Sequence, residues 1–132
     1  MMLAQVEERK SEIDVLGIVI ADDQDRERTW LRELFTKHLS NQTPIYEAED
    51  GQKALELVRE HKPPVVFLDI EMPILSGIKS AESILKEFPQ TGVIILSNHS
   101  DEIFVRKLWK LVPSDGAFGY VLKDSTDQQV ID

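Results

Sequence analysis

The hydrophobic positions of the chain form short apolar runs, each followed by a longer segment with helical spacing. The runs are rich in β-branched and aliphatic side chains and cover residues 18–21, 44–48, 65–68, 93–96 and 119–122. Short apolar runs that alternate with segments of period 3.6 are typical of repeated βαβ units. The pattern therefore predicts an α/β fold built on a five-stranded parallel sheet.

The segments between these strands each carry one apolar helix face. Asp25 is predicted to cap the first of these helices. A last helix would begin near Ser125 and stop after about two turns at Asp132, so we expect it to be truncated. The positions predicted to point inward are Trp30, Leu31, Leu34, Phe35 and Leu39, then Ala54, Leu55 and Val58, then Ala81, Ile84 and Leu85, and finally Ile103, Phe104, Leu108 and Trp109.

Residues 1–16 are interpreted as a charged N-terminal extension and residues 17–132 as the domain itself. A truncated last helix would leave apolar surface beside the first and fifth strands. Leu3, Val6, Ile13 and Leu16 could share one helical face, so this segment is expected to cover that surface. Self-association, for instance as a homodimer, is the other expected way to cover it.

Composition narrows the class of protein. The 132 residues are 42% hydrophobic and 30% charged, which is typical of one globular domain rather than of a disordered or membrane-embedded chain. The absence of cysteine and of a basic, apolar leader favours a cytoplasmic location. A net charge of −9 argues against direct nucleic-acid binding by this chain and favours a cation or a basic partner.

Polar residues stand where the predicted strands end. Asp22 and Asp23 follow the first strand, Asp69 the third, Ser97 the fourth and Lys123 the fifth. Right-handed crossovers place helices on both faces of a parallel sheet, and ligands of such folds bind beyond the carboxyl ends of the strands. All five residues are therefore expected at one edge of the sheet.

Three carboxylates at one edge repel each other by about 4 kcal/mol per close pair, which a divalent cation would relieve. Oxygen ligands without nearby His or Cys favour Mg²⁺, or alternatively Mn²⁺ or Ca²⁺, over zinc. A metal, a lysine and a hydroxyl donor together suit phosphoryl transfer. Asp69 is the expected nucleophile and would form an aspartyl phosphate.

The motifs IADDQ, VVFLDIEMP with Gly77, VIILS and GAFGYVLKD resemble those of receiver domains of bacterial two-component response regulators, over about residues 18–123. The resemblance implies a flavodoxin-like strand order 2-1-3-4-5 with helices on both faces. The GYVLKD ending is similar to receivers that precede LuxR-type helix-turn-helix output domains. The implied role is a signalling switch rather than an enzyme, with possible hydrolysis of its own aspartyl phosphate.

The same resemblance implies a role for each site residue. Asp69 would be the phosphoacceptor, and a histidine kinase or a small donor such as acetyl phosphate would supply the phosphoryl group. The metal ligands would be Asp22, Asp23, Asp69 and the backbone carbonyl of Glu71. Lys123 and Ser97 would bind the phosphoryl oxygens, and Tyr120 would change rotamer when Ser97 is drawn inward.

Three alternatives stay open from the sequence. A haloacid-dehalogenase-type phosphatase is suggested by the acids Asp69 and Glu71 at a strand end, although those enzymes place their second acidic pair late in the chain. A flavodoxin-like binding module is disfavoured because Asp22 and Asp23 would repel a phosphate. A degenerate receiver that acts only as an interaction module would fail to become phosphorylated.

Overall fold

The computed structural model describes residue 6 and residues 8–97 and 102–122. Helices and strands alternate along the described chain, and none of these helices is long and apolar enough to cross a membrane. In chain order the elements are α1 Lys10–Leu16, β1 Ile18–Ala21, α2 Asp25–His38, β2 Ile45–Ala48, α3 Gly51–His61, β3 Val65–Asp69, α4 Gly77–Glu87, β4 Gly92–Ser97, α5 Glu102–Trp109 and β5 Phe118–Leu122.

The strands form one parallel sheet in the order β2-β1-β3-β4-β5, which confirms the predicted α/β fold. β1 lies between β2 and β3, with Ile18 opposite both Ile45 and Val65. Successive strands thus leave β1 in opposite directions, and such a reversal opens a crevice at the carboxyl ends of β1 and β3. β2 begins at Ile45 rather than at the predicted Pro44, and β3 and β4 extend to Asp69 and Ser97.

Successive side chains of each central strand enter two separate cores. In β1, Val19 and Ala21 belong to a first core that also contains residues of α3, α4 and α5, whereas Ile18 and Ile20 belong to a second core that contains residues of α2 and of the leading segment. Every residue of β1, β3 and β4 is buried. A parallel strand covered on both faces is apolar at consecutive positions, which explains the continuous runs in the sequence.

Part of the leading segment is integral to the second core. Val6 and Ile13 are fully buried there, as predicted, and the Arg9 guanidinium donates to the carbonyls of Pro64 (2.9 Å) and Gln90 (2.7 Å). Leu16 was expected on the same face but is exposed, because α1 ends there. Leu3 lies outside the described residues, as does the predicted last helix.

Gly17 makes the turn from α1 into β1. Its φ is 87°, and a Cβ at this position would lie 2.6 Å from the carbonyl oxygen of Pro44. An L side chain meets both backbone strain and a collision there. Glycine therefore allows α1 to fold back on the sheet directly before β1.

The start of α2 and the face of α5 differ from the predictions. Gln24 stands at the cap of α2, and Asp25 is the first helical residue, with its carboxylate paired to Arg28. In α5, Ile103 and Trp109 are 69% and 61% exposed, and Phe104 is also exposed. Only Val105 and Leu108 of this helix are buried, because α5 packs on α4 near the sheet edge and buries a narrow stripe.

Candidate functional site

Asp22, Asp23 and Asp69 meet at the carboxyl edge of the sheet. Each contributes a carboxylate oxygen, and these atoms all lie within 4.8 Å of one another. The pairing of β1 with β3 explains the convergence, since Ala21 is opposite Leu68 and an aspartate directly follows each of them in the sequence. We call these three residues the acidic cluster.

The members of the cluster differ in exposure. Asp22 and Asp69 are 1% and 2% exposed, whereas Asp23 is open to solvent. Asp22 Oδ1 accepts from the backbone N–H of Gln24 at 2.9 Å, and Asp69 Oδ1 accepts from that of Glu71 at 3.3 Å. Backbone donors two residues ahead are typical of Asx turns, which fix the orientation of each carboxylate.

The donor set fits a hard divalent cation. All three side chains offer carboxylate oxygen, the ligand that Mg²⁺, Mn²⁺ and Ca²⁺ prefer, and the cluster contains no His or Cys that would favour zinc. Two buried acids beside a third repel each other by about 4 kcal/mol per close pair at an effective dielectric near 20. A cation at this position would offset that repulsion.

The loop after Asp69 is held against the main chain of two helices. Gly77 begins α4 so close to the carbonyl of Asp69 that a Cβ on Gly77 would collide with this carbonyl. The backbone N–H of Gly77 donates to the carbonyl oxygen of Ile70 at 2.8 Å. Gly51 begins α3 in the same way against the carbonyl of Leu75. Between these contacts, Ile74 is exposed with φ at 68°, an unusual conformation for a β-branched residue.

Ser97 and Tyr120 contact each other on the neighbouring strands β4 and β5. Ser97 is the buried last residue of β4, which is the strand next to β3, and its Oγ lies 3.4 Å from the Tyr120 hydroxyl. Tyr120 on β5 is partly buried. Lys123 directly follows β5 but lies outside the described residues, so its expected position stays a prediction. Glu71 is exposed, and its predicted role as a carbonyl ligand is likewise untested.

The sequence interpretation missed Arg28 and Glu47. Arg28 lies on the buried stripe of α2 with Leu31 and Phe35, and its guanidinium donates to the backbone carbonyl of Asp22 at 2.6 Å. Glu47 lies on β2 and pairs with Arg28. A signal for Arg28 existed, because a charged residue three positions before Leu31 falls on the apolar helix face.

Comparisons with known proteins agree with this architecture. The response regulator receiver domain family matches residues 18–132. The chain is 31% identical over 131 residues to the transcriptional regulatory protein DegU of Brevibacillus brevis, covering 99% of this chain and 51% of that protein. It is 36% identical over 117 residues to the oxygen regulatory protein NreC of Staphylococcus epidermidis, covering 88% and 51%. The chain thus spans about half the length of these relatives.

Two solved structures are similar in fold. A NarL signal receiver domain from Mycobacterium tuberculosis matches with a TM-score of 0.71 and 30% identity, covering 86% of this chain and 88% of that one. The CheX–CheY–BeF3–Mg+2 complex from Borrelia burgdorferi matches with a TM-score of 0.74 and 26% identity, covering 86% and 82%.

The predicted resemblance to receivers that precede LuxR-type output domains is borne out by the transcription regulators and the NarL receiver among these matches. The family match covers all five strands and the three acids of the cluster. The family match favours a receiver domain over a haloacid-dehalogenase-type phosphatase and over a flavodoxin-like binding module. It belongs to the response regulator receiver domain family, the signalling domains of two-component systems.

Proposed function

We propose that the chain is a phosphorylation-dependent switch that accepts a phosphoryl group on Asp69 in a Mg²⁺-dependent reaction. The observation that carries the proposal is the acidic cluster, in which Asp69 ends a buried strand with two further carboxylates within 4.8 Å. A histidine kinase or a small donor such as acetyl phosphate would supply the group. The expected cytoplasmic location and a homodimer stay predictions.

In the proposed reaction a carboxylate oxygen of Asp69 forms the new bond to phosphorus as the bond from phosphorus to the donor breaks. Asp22, Asp23, Asp69 and the backbone carbonyl of Glu71 would hold the cation. When bound, the cation supplies neutralisation of the charge on the transferred phosphoryl oxygens. The backbone N–H of Glu71 donates to Asp69 Oδ1 at 3.3 Å, which helps to fix the orientation of the carboxylate that would attack phosphorus.

The switch would follow from added charge. Phosphorylation brings about −1.5 to −2 charge to the strand edge. Lys123 would approach the phosphoryl oxygens and the Ser97 hydroxyl would donate to them. Because Ser97 Oγ lies 3.4 Å from the Tyr120 hydroxyl, a movement of Ser97 changes the space that this ring can occupy. Tyr120 would thereby transmit the change to the surface beside β5, which is the proposed output face of the switch.

The size of the switch follows from population arithmetic. Moving the domain from almost fully inactive to almost fully active requires differential stabilisation of about 5.5 kcal/mol. A smaller difference leaves partial activity before phosphorylation.

The similar CheY structure with BeF3 and Mg+2 supports the pairing of a phosphoryl-like group with magnesium in this fold.

The proposal is tested by incubating the protein with acetyl phosphate and Mg²⁺ and detecting one added phosphoryl group by intact mass. Asp69→Asn is expected to abolish the adduct. The matched control is Asp115→Asn, an exposed aspartate in the turn before β5, which should be labelled as the parent is. Labelling of Asp69→Asn would refute Asp69 as the phosphoacceptor. An unlabelled parent would favour the degenerate receiver that acts only through binding.

A further inference from the structure

Arg28 is a buried charge directly behind the acidic cluster. The residue is 7% exposed and lies on the stripe of α2 that packs into the second core beside Leu31. A buried charge is costly unless it is paired and hydrogen-bonded. Its partners therefore indicate what the side chain does.

The guanidinium of Arg28 joins three elements. It donates to the backbone carbonyl of Asp22 at 2.6 Å, and it pairs with the carboxylate of Asp25 at the start of α2. Its Nε lies 3.4 Å from Glu47 Oε1 on β2. The loop that carries Asp22 and Asp23 is thus fastened to a helix and to a neighbouring strand through one side chain.

Arg32 provides an internal comparison. It lies one turn further along α2 and also pairs with Glu47, at 2.8 Å, but its other bond is to the carbonyl of Ile45. Arg32 is partly exposed and has no described hydrogen bond to the loop after β1. The two arginines share an acidic partner, and Arg28 is the one of the pair that contacts the cluster.

We propose that Arg28 is a positioning residue for cation binding. It fixes the main chain at Asp22 so that the carboxylates of Asp22 and Asp23 stay in reach of Asp69. This inference rests on the proposed function, because it assumes that the cluster binds a divalent cation. The planar fork of arginine can bind several acceptors at once, whereas lysine offers a point charge.

The size of the effect follows from the behaviour of residues that orient metal ligands. Removal of such a partner typically lowers metal affinity by about 10- to 100-fold. We expect Arg28→Gln to weaken Mn²⁺ binding by about tenfold or more, and Arg28→Lys to fall between the parent and Arg28→Gln. Arg32→Gln should stay within about twofold of the parent, since it leaves the bond to Asp22 intact.

The test is titration of the parent and the three variants with Mn²⁺, with the free ion followed by electron paramagnetic resonance. Circular dichroism and a urea transition confirm that each variant is folded at the titration temperature. Parent-like binding by Arg28→Gln would overturn the inference, as would equal weakening by Arg32→Gln. A parent that binds no Mn²⁺ would overturn the proposed cation site together with this inference.

A second measurement separates positioning from general destabilisation. The rate of phosphorylation by acetyl phosphate is measured against Mg²⁺ concentration. For Arg28→Gln we expect the half-maximal Mg²⁺ concentration to rise about tenfold, with the rate at saturating Mg²⁺ close to that of the parent. A lowered saturating rate at an unchanged half-maximal concentration would contradict a role in cation binding.

Discussion

Replacement of Ile13 by alanine is expected to destabilise the domain as a core substitution does, although Ile13 precedes the residues that match the family. The side chain is fully buried in the second core, with Ile18, Phe35 and Phe67. The substitution removes about three methyl or methylene groups, worth about 2.4 kcal/mol in transfer free energy. The cavity that remains raises the expected loss to about 3–4 kcal/mol.

The loss is measured by urea unfolding followed by circular dichroism. With a slope of about 1.5 kcal/mol per molar urea, the midpoint should fall by about 2–2.7 M. Val15→Ala is the matched control, because Val15 belongs to the same helix but is 76% exposed. This control should change the free energy of unfolding by at most about 0.5 kcal/mol.

The reasoning fails if Ile13→Ala costs less than about 1 kcal/mol or no more than Val15→Ala. Either result would mean that α1 does not pack on the sheet in solution. The slope of the transition is also informative, since a lower slope would indicate that the variant exposes less surface on unfolding. A fall in midpoint at constant slope is the expected outcome.

Two further predictions concern an ion pair and a glycine. Hydrogen bonds from Arg59 at 2.9 and 2.7 Å lower the pKa of Glu87 in the folded state. The pair therefore stabilises the fold at pH values above the ordinary glutamate pKa of about 4.3. This stabilisation is lost as the pH falls through the lower folded-state pKa. Glu87→Gln should therefore lose less stability on acidification, with Glu33→Gln as control, and parallel pH profiles of urea midpoints would contradict this. Gly77→Ala should cost about 1–3 kcal/mol in urea unfolding, because its Cβ meets main chain. Gly92→Ala, whose Cβ would find its nearest atom at 3.3 Å, should cost less, and equal losses would argue against the collision.

The strands of the sheet and the acidic cluster were predictable, because the strands appear as apolar runs and the acids stand where those runs end. Strands buried on both faces are apolar at consecutive positions, so their limits are visible in the sequence. Parallel strands bring their carboxyl ends to one edge, which is sufficient to expect Asp22 and Asp69 together. The strand order required the family resemblance, since apolar runs do not specify which strands are neighbours.

The face of α5 was not predictable from periodicity. Leu108 lies four residues after Phe104 and three after Val105, so both possible stripes include it and satisfy helical spacing. The position of the helix near the sheet edge decides that Val105 is buried and Phe104 is exposed. Such a choice depends on tertiary packing rather than on local sequence.

Asp25 shows a similar limit at the start of α2. Aspartate is a common cap, but here its carboxylate binds Arg28 instead of a backbone N–H. A propensity rule does not account for an ion pair that competes with the capping bond, because it does not show which charged side chain lies close to the aspartate. The ion pair between Arg28 and Asp25 thus explains why Asp25 does not cap α2, and it could not be recognised before the fold was known.

The contact between Gly77 and the carbonyl of Asp69 joins backbone to backbone. Amino-acid changes in the two cores can therefore alter how firmly α4 is held without altering how far its first turn stands from the end of β3. Homologous domains that repack their interiors are expected to preserve this spacing. Engineers who wish to lengthen the loop between Asp69 and α4 would have to rebuild the main chain on both sides of it.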